Sequence, residues 1–282
     1  MRVLITGATG LLGGRLLPAW RQSGMDVVAV GHAAAADAAV DLTDQKATWR
    51  LLEERRPEVV VNLVALSNVD ACEQDPQRAY LLNVRTAQNL AGWLAKRPGA
   101  ALVHISTDHV YDGPGAHAEP DVTLLNIYAY SKFAAELAVL AVGGTALRVN
   151  FFGRSLTAGR MSFSDAIIQG LSAGQPMGFF TDVFFSPLSL DTLAAMIARV
   201  VADPAPGVFN LGAASGLSKR DFAWRVAQRM GLTLAGAREI TLAQAGLRAR
   251  RPTGMVMAVG KFEKRYGVTL PSLEAEIESA TL

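Results

Sequence analysis

The first thirteen residues, MRVLITGATGLLG, join a short apolar strand to a helix through three glycines. Gly7 lets the chain turn sharply off the strand, and Gly10 lacks the Cβ that would keep a pyrophosphate away from the backbone. Gly13 permits the following helix to pack closely on the sheet. Phosphates would then face the amides at the helix N-terminus. This order of elements predicts a dinucleotide-binding turn in an α/β fold.

Apolar strand-like runs alternate with helical patterns through the first 150 residues, which is typical of a parallel sheet with helices on both faces. The predicted strands cover residues 3–6, 27–30, 59–64, 101–105 and 145–149. The predicted helices cover residues 11–22, 44–55, 76–96 and 124–141. The fold class is therefore α/β, a doubly wound parallel sheet of the Rossmann type.

The strict alternation stops after Asn150. Proline and glycine then separate shorter elements, with helices predicted at residues 188–202, 218–230 and 272–280. We therefore expect a dinucleotide-binding domain over residues 1–150 and a smaller substrate-binding lobe over residues 151–282. The boundary is soft, because C-terminal helices can still return to the sheet.

Composition excludes several other classes of protein. Half of the 282 residues are hydrophobic and 18% are charged, which is the balance of a globular enzyme and not of a disordered chain. The net charge of +2 gives no reason to expect nucleic acid as a partner. No apolar stretch reaches the roughly 18 residues of a membrane-spanning helix, although the mean hydropathy is +0.23.

Cys72 is the only cysteine, which rules out an intrachain disulfide and favours a reducing compartment. The N-terminus lacks the cationic region and cleavage site of a signal peptide, so we expect a cytoplasmic protein with no membrane partner. The four histidines show no ligand pair at helical spacing, and no metal site is predicted. A core or surface role is expected for each of them: His32, His104, His109 and His117.

The Ser-Thr pair at 106–107 follows the fourth predicted strand, and Tyr128 and Lys132 lie four residues apart on a predicted helix. From this set, the candidate catalytic residues are Thr107, Tyr128 and Lys132. That spacing puts the phenol and the ammonium on one helix face. A nearby cation favours the phenolate and lowers the pKa of tyrosine from about 10 toward the working pH. Tyr128 can then act as general acid or base, with Thr107 hydrogen-bonded to the same substrate oxygen. Lys132 would also reach the ribose hydroxyls of a nicotinamide cofactor.

A Tyr-x-x-x-Lys pair also occurs by chance on solvent-exposed helix faces, where the tyrosine lies beside the lysine. The catalytic interpretation is favoured by the Ser-Thr pair about twenty residues upstream and by the glycine turn. Tyr130 lies only two residues from Lys132 and is expected to face elsewhere.

Eight stretches, spread over nearly the whole chain, resemble one family. They are TGATGLLG at 6–13, VDL at 40–42, PEVVVNLVALSNVDACE at 57–73, LLNV at 81–84, HISTDHVYDG at 104–113, NIYAYSK at 126–132, FFTDVFFSPL at 179–188 and RRPTGMVMAVGKFE at 250–263. The chain resembles the extended short-chain dehydrogenase/reductases, and among them most closely the dTDP-4-dehydrorhamnose reductases and related sugar-nucleotide enzymes.

The resemblance implies catalytic roles for Thr107, Tyr128 and Lys132. It also implies that the dinucleotide is held by the glycine turn, the following strand ends and the catalytic helix: Gly7, Thr9, Gly10, Leu11, Leu12, Gly13, Asp41, Leu42, Ala65, Leu66, Ser67, Tyr128 and Lys132. The residues expected to contact the substrate are Val69, Thr107, Asp108, Phe151 and Arg251.

Two segments depart from the family's pattern and leave the identity of the substrate open. Residues 253–257 read TGMVM, where the rhamnose enzymes usually carry a polar Asn-Ser-Arg-Leu type segment. Residues 149–152 read VNFF in place of the more usual Thr-Ser-Trp run. The methionines and aromatic residues there are equally compatible with core packing.

The choice between the two nicotinamide cofactors depends on the end of the second strand. An enzyme that uses NAD places Asp or Glu there to accept a hydrogen bond from the ribose 2′-hydroxyl. This chain has Gly31 and His32 instead, so no carboxylate repels a 2′-phosphate. We expect NADPH to be preferred and NADH to remain possible, with His32 or Arg15 as candidate contacts to the phosphate.

Three functional hypotheses follow. The first is a reductase that transfers hydride from NADPH to C4 of a nucleotide-activated 4-keto-6-deoxy sugar while Tyr128 protonates the oxygen. The second is an epimerase or dehydratase of the same fold, and the third is a regulatory subunit similar to the β subunit of methionine adenosyltransferase. The apolar residues Phe133, Leu137 and Leu140 form a helix face that fits either a homodimer or packing on the chain's own sheet.

Overall fold

The computed structural model describes residues 1–31 and 36–282. This part of the chain divides into two compact units, each built from separate segments. The first unit comprises Met1–Thr107, Asn126–Arg148 and Ala194–Phe209. The second comprises Asp108–Leu125, Val149–Leu193 and Asn210–Leu282.

The strands, numbered in chain order, are β1 (Arg2–Thr6), β2 (Asp26–Gly31), β3 (Ala38–Ala39), β4 (Val59–Asn62), β5 (Ala101–Thr107), β6 (Thr145–Val149), β7 (Phe151–Phe152), β8 (Met177–Phe180), β9 (Phe184–Phe185), β10 (Leu188–Ser189), β11 (Gly207–Leu211), β12 (Leu217–Ser218), β13 (Ala237–Ile240) and β14 (Gly254–Met255). The α-helices are α1 (Leu11–Gln22), α2 (Gln45–Arg55), α3 (Val69–Gln74), α4 (Pro76–Ala79), α5 (Thr86–Leu94), α6 (Ile127–Leu140), α7 (Phe163–Ser172), α8 (Leu190–Ala202), α9 (Lys219–Met230), α10 (Gly260–Tyr266) and α11 (Leu273–Ser279). A π-helix covers Tyr80–Arg85, and 3₁₀ turns cover Asp108–Val110 and Leu242–Ala245.

The main sheet of the described residues has seven strands in the order β3-β2-β1-β4-β5-β6-β11. The pairings from β3 through β5 are parallel, and Ile5 of the central β1 lies opposite Ala29 and Val61. Strand order reverses between β1 and β4, which is the place where open α/β sheets bind ligands at their carboxyl ends. The predicted doubly wound parallel sheet is confirmed.

Buried β-branched residues explain why β1 and β4 lie at the centre of this sheet. Val3 to Ile5 and Val59 to Val61 are almost completely buried, as strands covered on both faces require. Side chains from β1, β4 and β5 pack with α2, α5 and α6 in one core that includes Leu52 and Leu90.

Side-chain caps determine where two of the helices begin. Asp44 accepts hydrogen bonds from the Lys46 and Ala47 amides and starts α2. Asn126 accepts from the Ala129 amide and starts α6 at Ile127, three residues after the predicted start. The cap therefore places Tyr128 in the first turn of α6.

The helix predicted over residues 76–96 consists of α4, the π-helix and α5. A π-helical turn widens the backbone by one residue and is often found at functional sites. Here the widened turn brings the Asn83 side chain to the loop that follows β4.

The second unit contains small sheets around an aromatic core. In it β7 pairs with β10, β8 pairs with β13, and β9 lies between β12 and β14. Phe222 of α9 packs against three other rings with centroid distances of 5.0 to 5.7 Å: Phe152, Phe163 and Phe185. No helix in the described part of the chain has the length and apolar character needed to cross a membrane.

Candidate active site

The turn between β1 and α1 has positions that favour or require glycine. Gly7 adopts φ +67°, a left-handed conformation that side chains disfavour. A Cβ at Gly13 would lie 2.5 Å from the Ala8 carbonyl oxygen, so only glycine lets α1 approach the turn this closely. Gly10 is the N-cap of α1, makes no side-chain cap, and is followed by a first turn without acidic residues. These features fit an anion at the helix N-terminus.

Thr9, Leu11 and Leu12, which are also predicted to hold the dinucleotide, lie in this turn and in the first turn of α1. A Cβ at Gly31, the end of β2, would lie 3.1 Å from the Thr9 side chain, so Thr9 is adjacent to the strand end. Leu11 is partly buried and Leu12 is buried in the first turn of α1. His32 lies outside the described residues.

Asp41 and Leu42 follow β3. The Asp41 carboxylate accepts hydrogen bonds from the Thr43 amide and hydroxyl, at 2.9 and 2.7 Å. Leu42 is buried, and its carbonyl oxygen accepts from Asn89 Nδ2 at 2.9 Å and from Thr48 Oγ1 at 3.2 Å. This segment is therefore fixed by side chains of α2 and α5.

Ala65, Leu66 and Ser67 form the loop after β4, with Ala65 and Ser67 exposed. The Leu66 amide donates to Asn83 Oδ1 at 2.6 Å, and Asn83 Nδ2 donates to Ser131 Oγ at 2.8 Å. Asn83 thus joins the loop to α6, one residue before Lys132. Asn83 is not among the predicted site residues, although it lies in the LLNV stretch at 81–84 that carries part of the resemblance.

The predicted catalytic residues all belong to the first unit. Thr107 ends β5, and Tyr128 and Lys132 lie one turn apart on α6. All three are buried, with relative exposures of 4%, 8% and 2%. Tyr130, by contrast, is 56% exposed. The Lys132 ammonium donates to the Ile105 carbonyl at 2.6 Å, which ties α6 to β5 two residues before Thr107.

Lys132 occupies an environment that disfavours its charged form. Burial lowers its pKa from 10.5 to about 8, although the Glu136 carboxylate opposes this shift. Besides Ile105, the Nζ atom contacts His104 Nε2 at 3.2 Å. A lysine in this position can exchange a proton near neutral pH.

His104 connects Lys132 to the centre of the sheet. Its Nδ1 atom lies 3.0 Å from Asn62 Nδ2, and Asn62 Oδ1 accepts from the Thr6 hydroxyl at 2.7 Å. Burial and the nearby Lys132 ammonium lower the pKa of His104 well below its ordinary value. The resulting chain of hydrogen-bonding groups runs across β1, β4 and β5 to α6. The sequence alone did not predict this chain, because its bonded members lie 28 to 56 residues apart.

A second buried polar group lies one turn further along α6. Glu136 forms a two-point ion pair with Arg148, with distances of 2.9 and 2.7 Å, and accepts from Ser106 Oγ at 2.5 Å. Glu136 and Arg148 are 0% and 1% exposed as side chains. The network holds the Ser106 side chain beside Thr107, and sequence reasoning did not find it.

Three of the predicted substrate residues lie in the second unit. Asp108 follows Thr107 in a 3₁₀ turn and accepts from Asn150 Nδ2 at 2.6 Å, next to Phe151. Arg251 is partly buried, and its guanidinium lies 3.4 Å from the Ala249 carbonyl. In the first unit, Val69 is the buried first residue of α3.

Lys219 is a further cation of the second unit and is not among the predicted site residues. Its ammonium lies over the rings of Phe163 and Phe185, 4.8 and 5.1 Å from their centroids. Burial lowers the pKa of Lys219. The Asp108 carboxylate opposes this shift, and the positive charge of Arg251 lowers the pKa further. Burial together with Lys219 and Arg251 lowers the pKa of His109 to about 3, so His109 is neutral at ordinary pH.

Within residues 1–31 and 36–282, no group of three or more His, Cys, Asp or Glu side chains is placed to hold a metal ion. On α6, Leu137 is 54% exposed while Phe133 and Leu140 are partly buried. The homodimer suggested by this helix face stays a prediction.

Comparison with known proteins gives a consistent result. The family model described as RmlD substrate binding domain matches residues 1–281. The dTDP-4-dehydrorhamnose reductase of Burkholderia thailandensis is 30% identical over 290 residues, covering 96% of this chain and 95% of that protein. The probable low-salt glycan biosynthesis reductase Agl14 of Haloferax volcanii is 28% identical over 289 residues, covering 98% and 96%. The crystal structure of dTDP-4-dehydrorhamnose reductase from Bacillus anthracis in complex with NADP superposes with a TM-score of 0.88 at 24% identity, covering 98% and 97%.

The order of the strands, the glycine turn and the Thr107, Tyr128 and Lys132 set define the class of protein as an extended short-chain dehydrogenase/reductase. The family match extends over both units and ends one residue before the C-terminus. The chain belongs to the RmlD substrate binding domain family. The resemblance inferred from the sequence is thereby confirmed.

Proposed function

We propose that this protein is an NADPH-dependent reductase of a nucleotide-activated 4-keto-6-deoxy sugar. The observation that carries the proposal is the set of Thr107, Tyr128 and Lys132, three buried side chains at the end of β5 and in the first turns of α6. The names of the full-length relatives, two reductases of sugar or glycan pathways, support the same reaction class.

The proposed mechanism assigns one task to each side chain. A bound nicotinamide supplies the hydride for C4 of the sugar. Tyr128 donates its phenolic proton to the former carbonyl oxygen as negative charge develops there. The Thr107 hydroxyl hydrogen-bonds the same oxygen and fixes its position. Lys132 stabilises the phenolate that remains and holds the ribose hydroxyls.

The preference for NADPH rests on the end of β2. Gly31 provides no carboxylate for the ribose 2′-hydroxyl. Asp37 also contacts β2, but its carboxylate accepts from the Ala29 amide at 2.8 Å and pairs with Arg21 at 2.7 Å. A carboxylate engaged in this way is a poor acceptor for the ribose, so we expect the phosphorylated cofactor to be preferred.

The second unit offers groups suited to an anionic sugar nucleotide. Lys219 and Arg251 are close enough to perturb the same histidine, and together they provide two positive charges for a diphosphate. Asp108, held by Asn150, can accept hydrogen bonds from sugar hydroxyls. We therefore assign Asp108, Phe151 and Arg251, with Lys219 added, to substrate binding.

A cofactor-oxidation screen tests the proposal. Purified protein is mixed with NADPH or NADH and a panel of dTDP-, UDP- and GDP-linked 4-keto-6-deoxy sugars, and absorbance at the nicotinamide band is followed. We expect a substrate-dependent loss of NADPH with a higher kcat/KM than for NADH. The matched control is Tyr128→Phe, which should reduce kcat by about 100-fold or more because the proton donor is removed.

The screen also separates the other hypotheses. Conversion of the sugar without net consumption of NADPH indicates an epimerase or dehydratase and refutes the reductase. A folded protein that consumes no cofactor with any member of the panel and co-purifies stably with an enzyme indicates a regulatory subunit. A Tyr128→Phe variant with unchanged turnover rejects the assigned role of Tyr128.

A further inference from the structure

The hydrogen bonds around Asn62 determine which nitrogen of His104 carries the proton. Asn62 Oδ1 accepts from the Thr6 hydroxyl at 2.7 Å and from the Val64 backbone amide at 3.2 Å. A backbone N–H can only donate, so the oxygen of the Asn62 amide is identified and its Nδ2 faces His104 Nδ1. Nδ1 is then the acceptor, and the single proton of neutral His104 is on Nε2.

This tautomer directs an N–H group at the Lys132 ammonium. His104 Nε2 lies 3.2 Å from Lys132 Nζ, and an ammonium has no lone pair with which to accept that hydrogen. The neutral amine does have one. The contact with His104 therefore favours the amine, whereas the hydrogen bond to the Ile105 carbonyl at 2.6 Å favours the ammonium.

We propose that His104, held as its Nε2–H tautomer by Asn62, is a positioning residue that allows Lys132 to give up and recover a proton during turnover. The idea rests on the proposed reductase function. After Tyr128 has donated its proton to the sugar oxygen, the phenolate must be protonated again before the next cycle. Lys132 can supply that proton, because the Nζ–H bond that breaks leaves an amine that accepts from His104 Nε2–H. Solvent then returns the proton to Lys132.

Other charged groups around Lys132 do not replace His104 in this role. On α6, Glu136 favours the ammonium, but its carboxylate is already paired with Arg148 of β6 and bonded to Ser106 of β5. Tyr128 lies one turn before Lys132 on the same helix, and from the π-helix the uncharged Asn83 bonds to the adjacent Ser131. Among these groups, His104 is the one whose N–H specifically favours the amine.

The test measures the titration of Lys132 in the complete protein without any ligand. The chain contains only six lysines, so protein labelled with ¹³C- and ¹⁵N-lysine gives few side-chain signals, and a Lys132→Met sample assigns the one of interest. In His104→Asn the shorter amide still reaches Asn62 but no longer directs an N–H at Nζ. Burial still lowers the Lys132 pKa in this variant, but the opposing N–H is gone, so we expect the pKa to rise measurably above its native value of about 8.

A second variant distinguishes two causes of a raised Lys132 pKa: a change of the His104 tautomer and the entry of water into a cavity. Asn62→Leu keeps His104 and a side chain of the same branched shape, but it removes the donor that fixes Nδ1 as acceptor. His104 can then turn a lone pair toward the ammonium, and the Lys132 pKa should again rise. If His104→Asn raises the pKa while a folded Asn62→Leu leaves it unchanged, water entry explains the effect and the proposal is refuted. Should His104→Asn fail to fold, His104→Gln replaces it, with its amide oxygen turned toward Nζ and the same expected rise.

Two controls complete the design. Val103→Ala creates a cavity on the same strand with no polar contact to Lys132, so the protein should lose stability without a change in the Lys132 titration. The Lys219 signal should titrate unchanged in the His104 and Asn62 variants. An unchanged Lys132 titration in folded His104→Asn would overturn the proposal.

A kinetic measurement connects the titration to turnover. In the native enzyme, kcat for NADPH oxidation should fall as pH rises through about 8, and in the two variants this fall should move to higher pH. If the native protein reduces no sugar nucleotide but the titration shifts as expected, the proposed substrate class is wrong and the role of His104 stands. If turnover is observed and the titration does not shift, the reductase stands and the role of His104 is rejected.

Discussion

Replacing Lys132 by methionine should stabilise the fold while it abolishes turnover. Burial holds the lysine pKa near 8 instead of 10.5, and each pKa unit is worth about 1.36 kcal/mol, so the charged side chain costs about 3 kcal/mol in the folded state. Methionine has nearly the same length and no charge. It also loses the hydrogen bond to the Ile105 carbonyl, which costs about 1 kcal/mol. We therefore expect Lys132→Met to raise the free energy of unfolding by about 2 kcal/mol at pH 7.

The pH dependence gives a sharper form of this prediction. Because the pKa is lower in the folded state than in the unfolded state, the unfolded chain binds more protons between pH 8 and pH 10.5. The native protein therefore recovers stability as pH rises through this range, while Lys132→Met does not. The advantage of the variant should be complete below pH 8 and should shrink as pH approaches 10.5.

Urea unfolding followed by circular dichroism at pH 7, 8, 9 and 10 provides the measurement. Lys46→Met is the matched control, because Lys46 is exposed and its replacement should change stability by less than about 0.5 kcal/mol at every pH. A Lys132→Met variant that is less stable than the native protein at pH 7 refutes the reasoning. An advantage that stays constant from pH 7 to pH 10 does so as well, because the cost would then not come from the buried charge.

Two further substitutions test the turn and the buried ion pair. Gly13→Ala places a Cβ 2.5 Å from the Ala8 carbonyl oxygen, so the β1–α1 turn must shift. We expect a several-fold higher KM for NADPH with kcat nearly unchanged. The control is Gly260→Ala, where the Cβ meets open space, and it should leave both constants unaltered. Glu136→Gln leaves the Arg148 guanidinium buried without a carboxylate and should lower the free energy of unfolding by about 3–5 kcal/mol in urea. A loss below about 1 kcal/mol, as expected for an exposed pair, would contradict the assigned role of that ion pair.

Local signals in the sequence were sufficient to predict the first unit's main elements. Helix α1 covers residues 11–22 as predicted, because glycine punctuation and an apolar face define it without help from the rest of the chain. The strand predicted over residues 101–105 continues to Thr107 in the structure. Its two additional residues, Ser106 and Thr107, are polar and lie at the carboxyl edge of the parallel sheet, where such sheets bind ligands. The predicted boundary at residue 150 stays a prediction, and the structure groups Asp108–Leu125 with the C-terminal segments.

The features that the sequence did not predict are mostly contacts between residues that are distant in the chain. Asn62 and His104 lie on neighbouring strands, and the register of β4 against β5 places them directly opposite each other. Nothing in either strand alone specifies that register. The π-helix at Tyr80–Arg85 was also not predicted. A π-helical turn contains one additional residue, and the helical periodicity of the segment 76–96 continues on both sides of it.

The position of His104 on a central strand contains information about the site that could be used from the sequence alone. An imidazole among apolar residues was assigned a core or surface role, and burial alone makes the core the better assignment. A buried imidazole, however, needs partners for both ring nitrogens, or its burial becomes costly. In a parallel strand that ends at a predicted catalytic threonine, the neighbouring strand and the covering helix are the available sources of such partners. Asn62 and Lys132 are polar residues on those two elements, so the search for the partners of His104 would have led from the sheet to the candidate catalytic lysine.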